Sequence, residues 1–214
     1  MRVYLSDIDL LNAVKCGDLI IDPLPEEEIG ATSIDLHLGL IGEAKIWDIK
    51  KLAEDNKALG RPLRELDVAR MAYGIVSRQY LIEPPREADV KDGDLVFRRE
   101  NAIILRPYGF VLWQTKEVIG TPNESPKYIC FIEGKSTRAR TGLVIHLTAP
   151  TIHAGWSGNI TLEMTNCGPL DLVLHVGDAA AQLTVAQITQ PPKLGVRLES
   201  ATYGQTSVHG ANST

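Results

Sequence analysis

From about residue 75 onward the chain is a succession of short apolar runs, at 79–82, 95–97, 102–105, 110–113, 128–132, 143–147, 159–164, 170–174 and 181–185, punctuated by turns and without helical patterning between them. Runs of this length without intervening helices do not build alternating strand-helix-strand units. They bury their apolar faces by stacking sheets or by closing a sheet on itself, so the pattern predicts a sandwich or barrel. With 214 residues, 44% of them hydrophobic, there is enough apolar material for one sizeable core, and no tandem repeat divides it.

The first 74 residues read differently. Ser6 is placed to cap a helix, Asp7 and Asp9 suit its positive start, and Ile8, Leu11 and Val14 form an apolar stripe that stops at Cys16 and Gly17. A short strand at 19–21 runs into a turn at Asp22 and Pro23. In 30–39, Ile34, Leu36 and Leu38 alternate with polar residues as in a half-buried strand, which turns Asp35 to the other face. Residues 43–74 carry Lys45, Asp48, Lys50, Lys51, Glu54, Asp55 and Lys57 and then Gly60, Arg61 and Pro62, the texture of a peripheral, partly helical insertion. The polar tail at 199–210, taken alone, reads as a disordered terminus.

A net charge of −5 argues against a general nucleic-acid binder, so any affinity for phosphate is local. Cys16, Cys130 and Cys167 are odd in number and widely spaced, as reduced thiols are. No apolar run reaches the roughly 20 residues that span a bilayer, and the first six residues lack a signal-peptide core. The expectation is a soluble, cytoplasmic protein.

Two segments carry chemistry. In 134–140, a glycine leads into Lys135, Ser136, Thr137, Arg138, Ala139 and Arg140, offering hydroxyls, backbone N–H groups and cations to phosphate oxygens. In 156–163, Glu163 is embedded among Ile160, Leu162 and Met164, where a carboxylate is costly to bury and is therefore expected to serve a function.

Together with 30–39, 147–158, the triplet Ala181, Gln182, Leu183 and the triplet Tyr203, Gly204, Gln205, these segments resemble the dCTP deaminase branch of the dUTPase superfamily. The likeness covers most of the chain apart from 43–74. It implies a mainly β, distorted β-barrel or jelly-roll-like dUTPase fold with a few peripheral helices. The chain would be a single domain over 1–214, with the charged insertion at about 43–74 and a C-terminal flap at about 199–214, assembled as a homotrimer with shared active sites. The implied reaction is hydrolysis of dCTP to dUTP and ammonia without zinc, with Mg²⁺ bound through the nucleotide triphosphate and dTTP as an inhibitor. Neither nucleic acid nor membrane is a partner.

By motif position, the resemblance makes Glu163 the general acid/base. Ser136 and the backbone carbonyl of Ala149 would bind the attacking water, and Arg140 would hold Glu163 and stabilise developing charge. Lys135, Ser136, Thr137, Arg138, Ala139 and Arg140 correspond to the triphosphate and active-site segment. Leu147, Thr148 and Ala149 would face the base, Thr161, Leu162 and Gln182 would line the pocket, and Trp156 would lie near the deoxyribose. Tyr203 and Gln205 would belong to a flap closing over the triphosphate. His146 matches a position involved in switching to a dTTP-inhibited conformation.

The absence of zinc agrees with the residues, since none of the five histidines is followed two positions later by glutamate and there is no Cys-x-x-Cys. Two positions depart from the family. His153 stands where an aspartate contacts the sugar 3′-hydroxyl; it can still hydrogen-bond that hydroxyl but is a poorer water-activating base, which counts against carrying dCTP on to dUMP. Thr202 replaces the lysine that commonly precedes the tail tyrosine. A dUTPase-type pyrophosphatase, a bifunctional deaminase/dUTPase and a noncatalytic nucleotide-sensing trimer remain as rival readings, and Glu163 separates the first from the deaminase.

Overall fold

The computed structural model describes residues 4–68 and 72–193. The chain begins with α1 (Asp7–Lys15), closed at its start by a reciprocal cap in which Ser6 Oγ accepts from the Asp9 N–H and the Asp9 carboxylate accepts from the Ser6 N–H. Next come β1 (Ile20–Asp22), β2 (Ile34–His37), β3 (Ile46–Trp47), α2 (Ile49–Ala58), α3 (Tyr73–Tyr80) and β4 (Leu81–Ile82). They are followed by β5 (Val96–Arg99), β6 (Ala102–Leu105), β7 (Phe110–Gly120), β8 (Tyr128–Gly134), the single turn α4 (Ser136–Ala139), β9 (Leu143–Val144), β10 (Thr151–Ile152), β11 (Ser157–Asn166), β12 (Leu172–His175) and β13 (Ala179–Gln187).

The strands form two four-stranded sheets, ordered β1-β7-β11-β9 and β10-β8-β13-β2, with a three-stranded sheet β12-β6-β5 and the pair β3-β4. The pairings are antiparallel. The sheets do not close into a continuous barrel, so the mainly β fold takes its distorted form. Both large sheets feed one core: Ile34, Leu36, Ile132 and Leu183 from one meet Val111, Trp113, Leu162 and Met164 from the other. Trp113 is fully buried there and donates its ring N–H to the Leu40 carbonyl at 3.1 Å.

Two expected strands come out differently. In 79–82, Gln79 and Tyr80 end α3, because both side chains converge on Asp55 of α2, at 3.1 and 2.9 Å. In 143–147, pairing stops at Val144; the chain then leaves the sheet and the Leu147 N–H turns to the Glu163 side chain at 3.4 Å.

Within 43–74 the helix α2 is capped by Asp48 and its Asn56 side chain holds the carbonyls of Leu63 and Glu65, at 3.2 and 2.8 Å. Lys45 exchanges backbone hydrogen bonds with Leu112 of β7. Leu112 is only 6% exposed yet lies outside the main core cluster, because it faces the opposite side of the sheet, where this segment covers it.

The end of α4 is pinned by a close crossing of two chain segments. Gly142 has φ +95°, a Cβ placed on it would collide with the Gly168 nitrogen, and its carbonyl accepts from the Cys167 N–H at 2.8 Å. We expect Gly142→Ala to cost at least about 1–2 kcal/mol from the left-handed backbone alone, before the collision is counted. Urea unfolding that leaves the midpoint unmoved would contradict this close approach.

Candidate active site

Strand β11 alternates strictly. Ile160, Leu162 and Met164 face the core, and Thr161, Glu163 and Thr165 face away from it. Glu163 is half-buried on that outer face, and its Oε2 accepts from the Leu147 N–H. The same alternation corrects one expectation: Leu162 is 1% exposed and packs in the core, so only its backbone is available to a pocket built around Glu163.

The phosphate-type segment sits at the end of the other large sheet. Gly134 is the last residue of β8, and Lys135 leads directly into α4. Ser136, Thr137, Ala139 and Arg140 are exposed, while Lys135 and Arg138 are half-buried. The Lys135 ammonium pairs with the Asp35 carboxylate of β2. Gln182 of β13 lies opposite Asp35 on one side and Glu133 on the other, so Gln182, Asp35 and Lys135 come together. Among the described residues, no ion pair joins Arg140 to Glu163 within one chain.

The loop from β9 to β10 passes from one sheet to the other and carries exposed Leu147, Thr148 and Ala149, and exposed His153 follows directly after β10. His146 has a buried Nδ1 without a hydrogen-bond partner. Trp156 is half-buried, its ring packing partly against the core, and its carbonyl accepts from the Thr121 N–H at 2.9 Å. Tyr203 and Gln205, with the whole 199–214 flap, lie outside the described residues.

Beneath the site lies a polar network that local patterns do not reveal. The Asn159 amide, within a bulge of β11, donates to the carbonyls of Thr115, Lys116 and Glu117 at 3.0, 3.3 and 3.3 Å. Glu117 is 1% exposed and accepts from the His37 N–H at 3.0 Å, while its other oxygen lies 2.6 Å from His37 Nδ1. His37 Nε2 then meets Glu28 at 3.1 Å. Burial alone would lower the His37 pKa, but the hydrogen bonds to Glu117 and Glu28 outweigh it and hold the imidazole above its ordinary value. The sequence signal was the polar Thr115 and Glu117 at positions where β7 faces inward. Among the described residues, no cluster of three or more His, Cys, Asp or Glu is arranged to hold a metal, and no helix is long and apolar enough to cross a membrane.

The antiparallel two-sheet architecture superposes on the 2′-deoxycytidine 5′-triphosphate deaminase of Agrobacterium tumefaciens with a TM-score of 0.55 over 87% of this chain, at 14% identity. This chain spans about half, 49%, of that longer one, and the likeness defines the fold. A family model described as dCTP deaminase-like matches residues 4–188, and the chain belongs to that family. The dCTP deaminase of Natronomonas pharaonis is 31% identical over 208 residues, covering 95% of this chain and 91% of that protein. The dUMP-forming dCTP deaminase of Thermobifida fusca is 32% identical over 189 residues, covering 88% and 80%.

Proposed function

We propose that this protein hydrolyses dCTP to dUTP and ammonia, with Glu163 as general acid/base. The observation that carries this reading is the half-buried Glu163 carboxylate, turned out of the sheet beside the Leu147 backbone in a chain of the dCTP deaminase-like family. Water adds to C4 as Glu163 takes one proton and passes it to N3; Glu163 then takes the proton of the new C4 hydroxyl and gives it to the amine as the C4–N bond breaks, so one carboxylate cycles twice between its two forms. Ser136 and the Ala149 carbonyl orient the water. The base rests against Leu147, Thr148 and Thr161, with the backbone of Leu162, and the sugar against Trp156 and His153.

Lys135, Thr137, Arg138 and Ala139, with Tyr203 and Gln205 from the tail, bind the triphosphate, whose Mg²⁺ arrives as part of the substrate, and Gln182 lines the pocket. The Asp35 pair on Lys135 must open or be shared when phosphate binds. Among the described residues Arg140 is exposed and no ion pair joins it to a carboxylate, which supports a homotrimer in which it meets Glu163 across a subunit boundary. In this reading dTTP binds the same pocket as an inhibitor, and three free thiols favour a cytoplasmic enzyme.

The test is incubation of the purified protein with dCTP and Mg²⁺, followed by nucleotide chromatography and an ammonia assay. Accumulating dUTP with ammonia supports the proposal. The likeness to the dUMP-forming dCTP deaminase of Thermobifida fusca favours a second arm, formation of dUMP and pyrophosphate, against which His153 counts. Untouched dCTP would leave a nucleotide-sensing role. Arg140→Ala should lower kcat far more than it weakens dCTP binding, because its cation matters most as charge develops. Equal losses in both would make it a simple phosphate ligand.

A further inference from the structure

Directly opposed residues in antiparallel strands point to the same face. Glu163 lies opposite Leu112, and Leu112 opposite Lys45, so Glu163, Leu112 and Lys45 share the outer face of the β7-β11 sheet. Two residues further, Trp47 is on that face as well, while Ala44 and Ile46 belong to the core side. This places Trp47 two strand spacings, about 10 Å, from the line of β11. Tyr73, at the start of α3, stands edge-on to Trp47 with ring centroids 6.4 Å apart. The Tyr73 phenol is held above its ordinary pKa by burial and then by the negative charge of Glu163, so the ring stands within the field of that carboxylate.

We propose that Tyr73, carried by the charged insertion and braced by Trp47, is a positioning residue for Glu163. The inference rests on the deaminase reading of that carboxylate. No direct hydrogen bond joins the two side chains, so in this proposal the phenol O–H reaches the ionised carboxylate through solvent and favours the form that accepts a proton from the attacking water. Tyr73 takes no proton of its own in the reaction. Its role also accounts for a phenol at the only aromatic contact of α3 with β3 among the described residues, where phenylalanine would pack equally well.

Tyr73→Phe removes only the hydroxyl and keeps the contact with Trp47. We expect roughly a tenfold loss of kcat, from losing a hydrogen bond to a charged group, with KM held and the acidic limb of the kcat profile moved to higher pH. A profile matching the parent at every pH overturns the proposal. A second readout needs no turnover: in protein with ring-labelled tyrosine, the Tyr73 resonance, assigned by its loss in Tyr73→Phe, should inflect in the carboxylate range, and the inflection should vanish in Glu163→Gln. An inflection that persists in Glu163→Gln overturns the proposal too. If the parent leaves dCTP untouched, the deaminase reading fails while this readout still judges the coupling.

Discussion

Glu163→Gln will abolish ammonia release from dCTP and leave nucleotide binding intact. The amide matches the carboxylate in size, and its oxygen can still accept from the Leu147 N–H, so the loop beside it keeps its anchor. What the amide cannot do is take a proton from water and return it. General acid–base groups contribute about 10²–10⁴ in rate, and a residue that handles every transfer in the cycle belongs at the upper end of that range. Calorimetry with dCTP should give an affinity close to the parent's, while ammonia production falls to background. If binding is lost and turnover per bound nucleotide persists, Glu163 is a ligand and the acid/base lies elsewhere.

Glu117→Ala should have the largest effect on stability. The carboxylate is 1% exposed and satisfies both the backbone and the ring of His37, so its removal strands buried donors and costs about 3–5 kcal/mol. The pair also sets a pH dependence. Because the folded chain raises the His37 pKa, the proton is bound more tightly folded than unfolded. The stabilisation is therefore fully present below the unfolded value of about 6.5 and is lost as pH rises through the raised folded value. Urea unfolding across this range should show the parent weakening toward alkaline pH. Glu117→Ala should flatten that slope, leaving only the part due to Glu28. A parent that gains stability over the same interval through His37 would refute the arrangement.

The strand-rich second half was legible because period-two alternation is local: β11 and β13 each announce which residues face the core. Glu163 stood out as a carboxylate embedded in an apolar run, where burial was expected, and the alternation of β11 instead turns it half-buried to the outer face. The α1 cap was equally readable, since Ser6 and Asp9 lie three residues apart. Where expectations failed, a distant side chain had intervened, Asp55 holding the end of α3 helical and Glu163 drawing Leu147 out of the sheet. The supporting network was hidden for a related reason. His37 and Glu117 are 80 residues apart, and Asp35 and Lys135 are 100, so no window along the chain contains both partners.

Leu112 gives the insertion a significance beyond chemistry. A strand apolar on both faces cannot end a protein's surface, so β7 is a middle layer and the segment that pairs with it through Lys45 is its outer cladding. The charges along α2 meet water on its outer side, whereas loss of the segment would uncover Leu112. A version of the fold cut back to its two large sheets would carry an exposed apolar strip at Leu112, directly across from Glu163.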